Sequence, residues 1–124
     1  MAIIRRLKEE IRKFSIGVRN IIKWIPVLYK DRDWDFYYIY VILQKKLEFT
    51  EKSIAKSSLE NGQMYANKIR TAIRLIEIVR DEKYVDEVLM EDDWTKIKKA
   101  IAKQDKAEKL LFNYLHHYIK QWWS

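Results

Sequence analysis

Apolar residues recur along the first segment at Ile4, Leu7, Ile11, Phe14, Val18, Ile21 and Ile25. Steps that alternate between three and four residues mark the seam of a helix, here of heptad type. The pattern predicts one helix from about Ala2 to Ile25, passing Gly17 without losing phase. Pro26 is expected to end it, because the residue before a proline is driven out of the helical region. Arg5, Arg12, Lys13, Arg19 and Lys23 mostly lie off the seam. The segment reads as a basic amphipathic helix. Its seam suits a core or a second copy of the chain, and a place on a membrane surface ranks behind both.

A second helix is expected to start between Asp31 and Asp33 and to run to about Ser57. Phe36, Ile39, Tyr40, Leu43, Leu47 and Ile54 form its stripe. Trp34, Tyr37, Tyr38, Val41 and Ile42 widen that stripe until residues 36–43 are apolar nearly all round. Such a helix is buried on several sides, which predicts its first two turns at the centre of the fold.

Residues 57–62 (SSLENG) read as a loop. A third helix follows from about Gln63 to Arg80, with Tyr65, Ile69, Ala72, Ile76 and Val79 in its stripe. The acidic stretch 81–93 accommodates a short helix around Val85–Met90, and Asp92 or Asp93 reads as an N-cap before Trp94. Helical regions at about 94–103 and 105–123 complete the chain. Trp94, Ile97 and Ile101 share a face of the first; Leu111, Tyr114, Leu115, Tyr118, Ile119 and Trp122 face inward from the second. Nothing at 103–105 forces a break between them.

Composition agrees with this reading. Two glycines and one proline in 124 residues are too few for the tight turns of a β-rich fold. The expected fold is all-α: a single-domain bundle of four to five helices over residues 1–124, with the second helix central. The absence of cysteine excludes disulfides, zinc–thiolate sites and thiol nucleophiles. No apolar run approaches the ~20 residues of a membrane span, so stable membrane insertion is not expected. The opening MAIIRRLKEE is too charged for the apolar core of a signal peptide.

Charge changes the picture more. The net charge is +7, and residues 1–30 alone hold eight Lys/Arg against two Glu. The end of the chain is basic as well, whereas the middle is balanced. This asymmetry points to an anionic partner.

Candidate chemistries narrow quickly. Asp31, Asp33 and Asp35 have the alternation of a calcium loop, but Phe36 and Ile42 stand where that loop needs glycine and a bidentate glutamate. The three aspartates are better explained as the negative first turn of the second helix. His116 and His117 are adjacent, so on a helix they point about 100° apart and cannot chelate together. No metal site, no catalytic residues and no cofactor are expected. Anion binding is the reading with residues behind it. Arg32, Trp34 and Tyr38 at the start of the second helix, with Lys68, Arg70 and Arg74 from the third, supply rings that stack and cations that take phosphate.

The stretch KDRDWDFYYIY (30–40), KKLE (45–48), KIRTAIRLI (68–76) and the closing WW (122–123) resemble a group of small uncharacterised helical proteins of tailed bacteriophages. The resemblance runs from about Ile21 to the end. It implies an accessory protein of the bacterial host cytoplasm that acts by binding. The leading expectation is a non-enzymatic protein that sequesters a nucleotide-type immune signal and forms a homo-oligomer through the seam at 4–25. The alternatives are a nucleic-acid-binding accessory protein and a helical module that blocks a host protein.

Overall fold

The computed structural model describes residues 1–57 and 60–122. Among them the chain is all-α: α1 (Ala2–Lys30), α2 (Phe36–Lys56), α3 (Gly62–Arg80), α4 (Lys83–Val88) and α5 (Trp94–Tyr118), closed by a 3-10 turn (Ile119–Gln121). Two positions of the expected 57–62 loop, Ser58 and Leu59, lie outside the described residues, as does Trp123 of the closing WW pair. The chain divides into two compact units, Met1–Asp33 and Trp34–Ser124.

The first unit is essentially α1. It continues through Pro26 to Lys30, five residues beyond the expected end. A proline removes one N–H bond and crowds one carbonyl, but it does not forbid helix on either side. The apolar phase also carries on across it, from Ile25 to Leu28. The helix stops at Asp31, whose extended backbone still donates its N–H to the Leu28 carbonyl.

The second unit is the bundle. α2 begins at Phe36, later than expected, because Asp35 is its cap: the carboxylate accepts from the Tyr37 N–H at 3.0 Å. Of the three alternating aspartates only Asp35 therefore serves the start of α2. Asp31 ends α1, and Asp33 lies in the turn between them.

α2 and α3 run antiparallel. Gln63 near the start of α3 reaches the Ala55 carbonyl near the end of α2, and Arg80 at the end of α3 reaches Gln44. α5 is antiparallel to α3 in turn. Tyr114 donates to the Lys68 carbonyl, and Gln104 to that of Ile78. Gln104 also accepts from the Tyr84 N–H. One side chain thus satisfies an orphan carbonyl at the end of α3 and an orphan N–H at the start of α4.

The core follows the stripes. Tyr40, Leu47 and Ile54 from α2 meet Ile69, Ala72, Ile76 and Val79 from α3, and Ala107, Leu111 and Leu115 from α5, with Trp122 closing one end. Within this unit α3 packs against both α2 and α5. The central place expected for α2 holds for its Tyr40–Leu47–Ile54 stripe and not for its whole girth: Phe36 and Ile39 are exposed. A helix with one neighbour buries one stripe, and α2 packs mainly on α3. In α5 the inward residues before Leu111 are Ala100 and Ala107 rather than Trp94 and Ile101, which are exposed. The two expected helical regions are one continuous helix, started by Asp93, whose side chain accepts from the Thr95 and Lys96 N–H groups.

Candidate functional site

The six candidate ligand residues lie in different settings. Arg32, in the first unit, is exposed and donates Nη1 to its neighbouring carbonyls, Asp31 at 2.7 Å and Tyr29 at 3.4 Å. Trp34 stands in a turn of the second unit with 84% of its surface exposed. Tyr38 is half-buried, its ring edge-on to Tyr37. On α3, Lys68 sits over the Tyr118 ring of α5 at 4.3 Å. Arg70 turns the other way, to α2, where Glu51 accepts from Nε at 2.9 Å and from Nη2 at 2.7 Å, and Asn67 accepts from Nη1.

Arg74 lines a cleft with Glu77, Ile78, Asp81, Lys83 and Asp86. Arg70 pairs at Glu51, thirteen residues along α2 from Tyr38, a separation of about 20 Å on a straight helix. Within the second unit, then, Tyr38 and Arg70 occupy opposite ends of the α2–α3 pair, and Lys68 and Arg70 opposite sides of α3.

What α2 and α3 do bring together is a polar lock. Gln44 is only 6% exposed. Its amide donates to Glu48 at 3.0 Å and to Glu77 at 3.2 Å, and its carbonyl accepts from Arg80 Nη1 at 2.6 Å. Arg80 also forks onto the two oxygens of Asp81, at 2.9 and 3.0 Å, and stands over the Tyr37 ring. The hydrogen bonds from Arg80 hold the Asp81 carboxyl below its usual range against partial burial, and the same bonds raise Arg80. Burial works against the charge of Glu48, but hydrogen bonds from Gln44 and Lys45 outweigh it and lower its pKa. Each group has its partner, as a structural network requires. A polar residue at core spacing, Gln44 between Tyr40 and Leu47, is the mark of this lock in the sequence.

The Arg74 cleft has a volume of about 540 Å³ and holds three carboxylates against two cations. A second cleft, of about 330 Å³, is lined by Phe36, Tyr40, Val79, Glu82, Gln104 and Glu108. Burial, together with the Glu108 charge 3.5 Å from its hydroxyl, raises the Tyr40 pKa. A phenol shifted in that direction stays protonated and is a poor general base. Neither cleft concentrates positive charge. Among the described residues no three His, Asp or Glu side chains stand together as a metal site.

Positive charge is concentrated on α1. At about 100° per residue, Ile3, Ile4, Leu7, Ile11, Phe14, Val18, Ile21, Ile22, Ile25, Leu28 and Tyr29 fall within an arc of about 120°. Beside one edge of that arc, Arg5, Lys8, Arg12, Arg19, Lys23 and Lys30 share a stripe about 60° wide. Near the opposite edge Glu10 is paired with Lys13 at 3.7 Å. Nothing else in the unit stands against the apolar face, and Ile4, Leu7, Ile11, Phe14, Ile21 and Ile25 are exposed.

No protein-family model, curated protein or solved structure matches this chain.

Proposed function

We propose that this is a non-enzymatic binding protein whose α1 helix engages an anionic partner. The observation that supports it is the separation of charge in the chain. Residues 1–30 hold eight of the 25 Lys/Arg and two of the 18 Asp/Glu, so the remainder is nearly neutral. Six of those eight cations share one stripe. In the bundle Arg70 and Arg80 are engaged by carboxylates. A one-signed stripe attracts an anionic surface and speeds encounter with it.

Retention of the full chain on immobilised heparin, eluted with salt, tests this. Replacing Arg5, Arg12 and Arg19 together by Glu is expected to abolish retention. The same change of charge at Lys99, Lys106 and Lys120 is expected to shift elution only slightly. Equal effects from the two sets would refute a role particular to α1.

A second reading is a nucleotide-type anion stacked on Trp34, favoured by the exposure of that ring. Calorimetry with cyclic and linear nucleotides tests it: heat that disappears in Trp34→Ala supports it, and no heat with any member of the panel removes it.

A further inference from the structure

We infer that α1 lies in the plane of an anionic lipid bilayer, with its apolar arc in the acyl boundary and its cation stripe among the headgroups. The inference rests on the reading of α1 as the anion-binding surface and commits that surface to one partner.

Three observations favour a bilayer over the other occupants of an apolar helix face. The first is width. A two-stranded coil needs a narrow seam with polar flanks. Here the positions flanking the Ile4–Leu28 seam include Ile3, Ile22, Trp24 and Tyr29, which spread the apolar surface well beyond two positions per heptad.

The second is charge complementarity. In a parallel pair of α1 helices the flanking positions would bring Glu10 against Ser15 and Ile3 against Lys8, so no ion pair fixes the partner. Five of the six stripe cations, Arg5, Arg12, Arg19, Lys23 and Lys30, would face away from such a partner and stay unmatched by it. Anionic headgroups complement that stripe, and Lys and Arg beside an apolar face extend their stems along it while the heads stay in water. A nucleic acid would use the cations but leave the apolar arc uncovered.

The third is length. α1 has 29 residues, about 43 Å of helix, yet no helix among the described residues is long and apolar enough to cross a membrane. A long, strongly amphipathic helix of low overall hydrophobicity that cannot span the bilayer is suited to lying on it.

The test is flotation of the full chain with vesicles of equal parts phosphatidylcholine and phosphatidylglycerol, and with phosphatidylcholine alone. The protein is expected to float with the anionic vesicles, about tenfold or more tightly than with the neutral ones, and to be released by salt. Arg12→Gln and Arg19→Gln should each weaken binding about fivefold. Ile11→Glu combined with Phe14→Glu should abolish flotation and leave the melting temperature unchanged.

No flotation, or equal flotation on both vesicles, overturns the inference. So does a lowered melting temperature in the Ile11/Phe14 variant, which would put the seam inside the fold. A dimer in sedimentation that this variant dissolves would put a second copy on the face and also overturn it. Should flotation fail while heparin retention still depends on Arg5, Arg12 and Arg19, the bilayer falls and the anion-binding reading stands. Should retention fail too, both fall.

Discussion

The Arg80 guanidinium donates to the Gln44 side-chain carbonyl at 2.6 Å and so ties the end of α3 to the middle of α2 across a buried interface. Gln44→Ala leaves Arg80 Nη1 without this acceptor and Glu77 without this donor. The variant is expected to lose about 2 kcal/mol of stability, since a stranded buried polar group costs more than a hydrogen bond contributes. Urea unfolding followed by circular dichroism measures it. A loss below a few tenths of a kcal/mol would mean that water replaces the amide at no cost.

The carboxylates of the same lock set a pH dependence. Asp81 and Glu48 both have pKa values lowered by folding. Their contribution is therefore complete above the ordinary carboxylate pKa and is lost as pH falls through the lower folded values. Stability should decline on acidification below about pH 4. Asp81→Asn should flatten part of that decline. The effect is modest, because half of the Asp81 side chain is in water, where solvent screens the pair.

Ile76 and Leu111 are fully buried where α3 meets α5. Either residue changed to alanine is expected to cost about 3 kcal/mol, from lost transfer energy and the cavity left behind. Thermal melts of the two variants check this, and a drop of similar size in both would mark one cooperative core.

The two glycines predict opposite outcomes. A Cβ on Gly17 meets nothing within 4 Å, so Gly17→Ala should raise the helicity of α1 and favour that helix by about 1 kcal/mol. A Cβ on Gly62 would stand 3.1 Å from the Ile54 carbonyl oxygen, where α3 starts against the end of α2. Backbone must give way there, and Gly62→Ala should destabilise the bundle by about 1 kcal/mol or more. Far-ultraviolet dichroism reads the first and denaturant unfolding the second.

Helices with one clean stripe were legible in the sequence. The residues Ile69, Ala72, Ile76 and Val79 name the buried face of α3 without help from the structure. A cap at Asp92 or Asp93 was legible because carboxylates stood directly before an apolar-periodic run, and the structure selects Asp93. The start of α2 was harder to read, since Asp31, Asp33 and Asp35 are each competent caps and only tertiary placement selects Asp35. Pro26 misled because a proline's local cost is fixed, whereas the apolar phase on both sides favours continuing the helix.

The depth of α2 was overstated for a related reason. Aromatic residues around its first turns are a statement about composition, and how many neighbours a helix has is decided by topology. Arg70 belongs to the same class: its charge is visible in the sequence, but its engagement by Glu51, nineteen residues away, is not. The basic amphipathic character of α1 was legible from spacing, but its stripe was not read in full: Lys30 lies beyond the expected end at Ile25, and Lys13 falls outside the stripe.

Hydrogen exchange of the full chain, with and without heparin and with and without phosphatidylglycerol vesicles, tests the central claim most directly. Binding through α1 predicts new protection confined to residues 2–30, with α2 to α5 unchanged. Protection that appears in α3 or α5 while α1 exchanges as before would contradict it.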